Sequence, residues 1–300
     1  MRVFVTGASG YIGKAVALAF RRAGHTVFGL VRTENSKKML IQGEVIPVIG
    51  DLNHPNDFRN IIEESEVIVD CAHESSPNSV ARDAAKIELF LNAAHKNKLP
   101  HTLIYTSGVW VYGNTGNIIA DEASILNPID IVTWRPAHEE MVLNGSSDYV
   151  KTVVIRPGCV YGGVGGLTKI WFDSTLEGAV TMVGDGANRW TMIHVDDLAN
   201  LYVLAAEKEV NRVVLNATGE SNHNIKDIVE KIAQIAGLDG KIRQLTLEEA
   251  VQKMGRFATG LTIDQRVSSQ RATHLLGWLP KHASFMQEIE RYYEAWKQLQ

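Results

Sequence analysis

Gly7, Gly10 and Gly13 stand in Thr6-Gly7-Ala8-Ser9-Gly10-Tyr11-Ile12-Gly13, directly after the apolar run 2–6. This spacing suits a specific task. One glycine permits a tight turn, another lets backbone approach a pyrophosphate, and the third lets a helix pack close to a strand. The phosphates would rest on free N–H groups at the start of a helix beginning near Tyr11, where the helix dipole is positive. Ser9, Tyr11 and Ile12 complete that cradle. A lone glycine pattern says little, but here it follows a strand and opens a helix, the context that a dinucleotide-binding turn requires.

Further residues extend the same reading. The second apolar run ends in Leu30-Val31-Arg32. A carboxylate at this place accepts from the ribose 2′-hydroxyl of NAD, whereas an arginine meets the 2′-phosphate of NADP. Arg32 favours NADP, with Lys37 and Lys38 as helpers, and Glu34 keeps NAD open. Asp51 and Leu52 follow the third run and offer an adenine contact, unless Asp51 is a helix cap. Ala72 and His73 follow the fourth run on the same side.

The elements that must carry these residues alternate. β-rich apolar runs at 2–6, 26–31, 45–49, 67–71, 103–106 and 152–155 are separated by helical spacing at 12–23, 33–41, 55–64 and 79–97. Such alternation predicts an α/β, Rossmann-type doubly wound parallel sheet with ligands at the carboxyl ends of its strands. The second half is less regular. A Gly-rich loop at 156–166 is followed by helical spacing at 167–176, 197–207, 226–236, 247–254 and 284–297, with a returning strand at 213–216. The expected division is a dinucleotide-binding domain over 1–156, with a return segment at 190–218. A smaller, mostly helical lobe would comprise 157–189 and 219–300.

Bulk properties narrow the classes. The 300 residues are 45% hydrophobic and 21% charged, with a formal charge of -4. No basic block points to nucleic acid or an anionic membrane, and no apolar run reaches the roughly 20 residues that span a bilayer. The first strand starts at Arg2, so a cytoplasmic location is expected. Cys71 and Cys159 lack metal-ligand spacing and read as buried free thiols, and no metal is expected.

With these residues in view, the chain resembles an extended short-chain dehydrogenase/reductase of the NAD-dependent epimerase/dehydratase type. Besides the glycine turn, the likeness rests on Tyr105-Thr106-Ser107 before Val111-Tyr112-Gly113, on Ile155-Arg156-Pro157-Gly158-Cys159-Val160-Tyr161-Gly162, on Ile193-His194-Val195-Asp196-Asp197, and on Leu275-Leu276-Gly277-Trp278-Leu279-Pro280. It implies that Pro157, Gly158 and Val160 pass the nicotinamide. It also implies a Tyr that exchanges a proton, with a Lys four residues on that lowers its pKa and holds the ribose.

The sequence departs from that pattern. The stretch 129–140 contains no Tyr and no Lys. Ile131 falls near the Tyr slot and Arg135 near the Lys slot, where it can bind ribose but cannot act as a base. The helix there should start late, near Thr133 or Trp134, because Pro136 suits a first turn. Gly108 takes the family's Ser/Thr place, with Ser107 beside it. Trp190 occupies the slot where sugar-nucleotide enzymes place an Arg, with Arg189 adjacent. Trp110 and Trp134 join them in favouring an apolar or aromatic ligand, unless these are core tryptophans.

Something else must then handle protons. Ser107 is the first choice, as a hydrogen-bond donor to a carbonyl. His73 and Tyr161 follow, and Tyr112 is expected to be structural. His138 reads as a helix-surface residue, His194 as structural, and Asp196-Asp197 as an N-cap. The leading expectation is an NADP-dependent oxidoreductase (NAD possible) acting on a small molecule with a non-standard proton donor. The alternative is an inactive NADP-binding sensor. Either a monomer or a homodimer fits.

Overall fold

Val3 and Val5 are wholly buried on one side of the first strand and Phe4 on the other, as period-two alternation requires of a strand covered on both faces. The computed structural model describes residues 1–74, 76–96, 98–163, 165–219, 223–282 and 284–300. A seven-stranded parallel sheet has the order β3-β2-β1-β4-β5-β6-β10. Its strands are β1 (Arg2–Thr6), β2 (Thr26–Val31), β3 (Ile46–Ile49), β4 (Val67–Asp70), β5 (His101–Thr106), β6 (Val150–Pro157) and β10 (Val213–Ala217). Helices α1 (Tyr11–Arg22) and α7 (Val195–Glu207) cover one face, and α3 (Arg59–Glu63), α4 (Ser79–Lys96) and α5 (Arg135–Asn144) cover the other. α2 (Glu34–Gln42) joins β2 to β3. Strand order reverses between β1 and β4, which opens a crevice above their carboxyl ends.

Helix α5 starts at Arg135, one residue later than Trp134, because 130–132 first form a separate 3₁₀ turn. The expected helix 79–97 ends at Lys96, and Asn97 lies outside the described residues. The expected N-cap at Asp196-Asp197 is corrected. The His194 ring accepts from the Asp196 N–H and caps α7, while the Asp197 carboxylate accepts from the backbone N–H groups of Lys281 and His282.

The second half has its own core, built on α6 (Lys169–Thr175), α8 (Ile225–Ile235), α9 (Leu247–Met254) and α11 (Phe285–Lys297). Two parallel strand pairs add to its helices: β7 (Cys159–Tyr161) with β9 (Met192–His194), and β8 (Val180–Val183) with β11 (Ile242–Leu245). Each pair is four residues or shorter, too brief for sequence alternation to announce. A helix the sequence did not signal, α10 (Gln270–Leu276), returns with Trp278 to the first core. Among the described residues, no helix is long and apolar enough to cross a membrane.

Candidate functional site

Two adjoining clefts lie at the carboxyl ends of the strands. The first, of about 570 Å³, follows the crevice between β1 and β4 and is lined by Gly7, Ser9, Gly10, Arg32, Asp51, Leu52 and Ala72, among others. Gly7 has φ +64°, and a Cβ there would sit 2.8 Å from the Cys71 carbonyl oxygen. A Cβ on Gly13 would strike the backbone of Gly7. The turn therefore closes only with glycine at both places. No side chain caps α1 and no acid stands in its first turn, which leaves its free donors for an anion. These features fit the phosphates of a dinucleotide.

Arg32 is exposed on the rim of this cleft and makes no ion pair among the described residues. Its competitor Glu34 is engaged by Lys37 at 3.4 Å. Asp51 closes a turn instead of capping a helix: its Oδ1 accepts from the Asn53 backbone N–H at 2.8 Å and from the Asn53 amide at 2.7 Å. Tyr11 and Ile12 line the neighbouring cleft, and Gly13 is buried under the turn. The Tyr11 hydroxyl donates to the Gly162 carbonyl at 2.7 Å, tying the phosphate turn to the loop after β7.

Beneath the first cleft lies a charged cluster that sequence reasoning missed. Lys86 of α4 contacts Asp70 at 2.8 Å and Asp83 at 2.9 Å, and donates to the Ala72 carbonyl at 2.7 Å. Asp83 also accepts from the Tyr105 hydroxyl at 2.7 Å and lies 2.8 Å from His138 Nδ1. Asp70 accepts from Thr6 at 2.6 Å. Burial pushes the Asp70 carboxyl up despite Lys86, whereas on Asp83 the opposing effect of Lys86 and three hydrogen-bond donors prevails and holds it down. Burial alone would weaken the Lys86 ammonium, but its two carboxylates more than offset that. His138, expected on a helix surface, is buried here because α5 packs on α4. Asp83 and Lys86 at i and i+3 read in sequence as an ordinary surface pair. Only the approach of β4 and β5 reveals their burial.

The second cleft, of about 1150 Å³, adjoins the first at His73, which lines both. Ser107, Trp110, Ile131, Trp134, Arg135 and Trp190 face it, as do Pro157, Gly158 and Val160. Ser107 is 8% exposed, and its hydroxyl has no hydrogen-bond partner among the described residues. Its N–H is used by the Ile155 carbonyl. Arg135 donates to the Thr106 carbonyl at 3.1 Å and lies 4.6 Å over the Trp134 ring. The His73 ring runs nearly parallel to Trp134 at 6.5 Å. Burial first, then the Arg135 charge, lowers the pKa of His73 and favours its neutral ring.

Several expectations change here. Tyr161 turns away from this cleft. It is 3% exposed in the second core, edge-on to His194, Phe285 and Tyr292, and burial raises its pKa. Arg189 is clamped to Asp264 at 2.6 Å and to the Gly116 carbonyl at 3.1 Å, so it braces the lobe rather than facing a ligand. Trp190 is both core and wall: it stacks on Trp171 at 4.8 Å and donates to the Leu261 carbonyl at 3.1 Å. Phe257 enters from the far side and packs against Trp110 at 5.6 Å, a contact that local patterning could not forecast. Tyr112 accepts from Arg156 and donates to Asn216, a structural role. Burial pushes the thiols of Cys71 and Cys159 up to about 12, which makes them poor nucleophiles.

His194, Asp196 and His282 bring ligand-type atoms together. However, the imidazoles stack at 3.5 Å, so their in-plane lone pairs run side by side rather than converging. His194 Nδ1 is already committed to the Asp196 N–H.

Comparison with known proteins agrees with this geometry. The model of the NAD-dependent epimerase/dehydratase family matches residues 3–217. An uncharacterized protein of Schizosaccharomyces pombe is 29% identical, covering 96% of this chain and 98% of its own. A sterol-4-alpha-carboxylate 3-dehydrogenase (decarboxylating) of Dictyostelium discoideum is 27% identical, covering 73% of this chain and 72% of its own. Among solved structures, dTDP-glucose 4,6-dehydratase from Bacillus anthracis in complex with NAD superimposes with TM-score 0.83 at 22% identity, covering 100% of each chain.

Proposed function

From the premise that the chain belongs to the NAD-dependent epimerase/dehydratase family, we propose that it is an NADP(H)-dependent oxidoreductase acting on an apolar or aromatic carbonyl or alcohol. The observation that carries this reading is the Ser107 hydroxyl, buried and without a partner among the described residues, on a residue that lines an aromatic-walled cleft beside the dinucleotide crevice. A buried hydroxyl left unpaired costs free energy, on the order of 1–3 kcal/mol, and a substrate oxygen removes that cost. The oxidoreductase relative, whose printed substrate is a sterol, supports apolar chemistry.

The residues then divide the work. Gly7, Ser9 and Gly10 hold the phosphates with the α1 N-terminus, and Arg32 meets a 2′-phosphate. The bound nicotinamide supplies or accepts hydride. Ser107 donates to the carbonyl oxygen and orients it. Trp110, Trp134 and Trp190 exclude water and fix a flat or apolar body. His73, at the junction, is the proton-handling group in reach of both clefts. Losing a tuned phenol costs roughly 10²–10⁴ in rate, which positioning alone can leave tolerable.

A second reading, a sensor that binds NADP without turnover, draws on Ile131 and Arg135 standing near the Tyr and Lys slots. One experiment separates the two. NADPH and NADH are titrated by fluorescence, and oxidation of bound NADPH is then followed against aldehydes, ketones and enones. Tight NADPH binding with turnover supports the reductase. Tight binding without turnover across the panel supports the sensor, and no binding of either cofactor overturns both.

A further inference from the structure

The second cleft contains charges that cancel and one that does not. Asp130 lies 3.3 Å from Arg256, and Lys169 is 2.6 Å from Asp173 Oδ2. Arg135 has no carboxylate within ion-pair distance among the described residues. It is only partly exposed, its polar contact is a neutral carbonyl, and its guanidinium carbon lies 4.6 Å over the Trp134 ring. A guanidinium in such surroundings favours an anion. It also opens α5, a ten-residue helix with no side-chain cap and no acid in its first turn, so the dipole acts in the same direction.

A second, independent observation marks the same spot. Arg135 bonds the carbonyl of Thr106, and the next residue is Ser107, whose hydroxyl is nine-tenths buried and unpartnered. An unpaired cation and a hydroxyl without a partner among the described residues thus belong to two residues that line the same aromatic-walled cleft, the cation anchored to the carbonyl next to the hydroxyl's residue. His73 beside them adds no competing charge, because burial and Arg135 favour its neutral form.

We propose that the Arg135 guanidinium and the Ser107 hydroxyl form an anion subsite, and that the ligand of this cleft is a planar conjugated acid whose anionic oxygen they hold. The inference rests on the second cleft being the substrate chamber, as proposed above. It reassigns Arg135 from the dinucleotide ribose to the substrate. The anion satisfies both orphaned groups, while the Trp134 and Trp110 faces take the conjugated body.

The test needs no turnover. Intrinsic tryptophan fluorescence of the protein without added cofactor is titrated with aromatic and cinnamic-type carboxylates, and with their uncharged amides. NADPH affinity is measured separately. Binding of the acids about 10- to 100-fold tighter than of the amides is expected, the range for a hydrogen bond to a charged group. R135Q should remove that preference and leave NADPH affinity within about twofold, whereas R135K, which keeps the charge, should retain part of it. S107A should weaken the acids by about 3- to 10-fold, as one neutral-donor bond predicts. Equal affinity for acids and amides overturns the proposal. So does an R135Q that loses NADPH and keeps the acids, since Arg135 then belongs to the cofactor. If neither acids nor amides bind while NADPH does, the substrate-chamber reading fails and takes this inference with it. If NADPH also fails to bind, the dinucleotide reading is lost as well.

Discussion

The two adjoining clefts are built from different materials. The first is shaped by backbone: a glycine turn closed at φ +64°, an uncapped helix end, and a β4 loop pressed to within 2.8 Å of where a Cβ of Gly7 would stand. The second is shaped by side chains from segments far apart in sequence, with Trp110, Trp134, Trp190 and Phe257 as walls. Backbone geometry of this kind admits few sequences. Aromatic walls admit many, provided that volume and polarity are kept. The difference explains how one fold can keep its cofactor crevice while altering the chamber beside it.

The largest effect that would test this contrast lies under the first cleft. Lys86→Met leaves Asp70 and Asp83 buried without their cation, and breaking a buried pair in this way costs about 3–5 kcal/mol. Urea unfolding should show that loss, with cofactor binding failing alongside it. A variant of near wild-type stability would mean that the cluster is not the support the geometry makes it.

Ser107→Ala should act on the other side of the comparison. Carbonyl reduction is expected to fall about 10²- to 10³-fold, the usual consequence of losing one donor to a developing oxyanion. Unfolding free energy should not fall and is expected to rise by up to about 1–3 kcal/mol, because the variant removes a buried hydroxyl that has no partner among the described residues. Steady-state kinetics and denaturation of the same variant check both halves.

A smaller effect belongs to the rim. Arg32→Glu should weaken NADPH about tenfold or more and leave NADH nearly unchanged, since only one carries the 2′-phosphate. Equal losses for both would return Arg32 to the role of a solvated surface residue.

The smallest effect concerns the brace of the second lobe. The Arg189 side chain and its hydrogen bonds hold the Asp264 carboxyl below its ordinary value, against a modest opposing burial. A depressed folded pKa gives stability that is present above the unfolded value and is lost as pH falls through the folded one. Wild type should therefore lose this contribution below about pH 4, whereas Arg189→Gln should have a flatter profile there. The pair is partly exposed, so solvent screening keeps the difference small. Thermal midpoints between neutral and acid pH read it.

Legibility in sequence followed the same division. The order of strand and helix, the glycine turn, and the cleft-lining positions of Arg32, Ser107, Trp110, Trp134 and Arg135 could be named from local patterns, because each follows a strand end or fits a family motif. Tyr161 and Arg189 were misassigned for one reason. Motif position indicates which residue passes a site, not which way its side chain turns. Tyr161 turned into aromatic packing with Phe285 and Tyr292, and Arg189 turned to Asp264, all three partners more than 70 residues away. The short pairs β7–β9 and β8–β11 escaped notice because periods need length to show.

What the sequence alone determined is the set of constraints that act within a few residues: the alternation that builds a parallel sheet, the glycines that let a turn close, and a helix end left without a side-chain cap. The tertiary structure decided which charges are buried together, which aromatic rings wall a cavity, and which groups remain unpaired. Lys86 met Asp70, and Arg135 met no carboxylate among the described residues, only when β4, β5, α4 and α5 converged. Burial and charge pairing depend on neighbours brought together across the fold, and no local pattern encodes that distance.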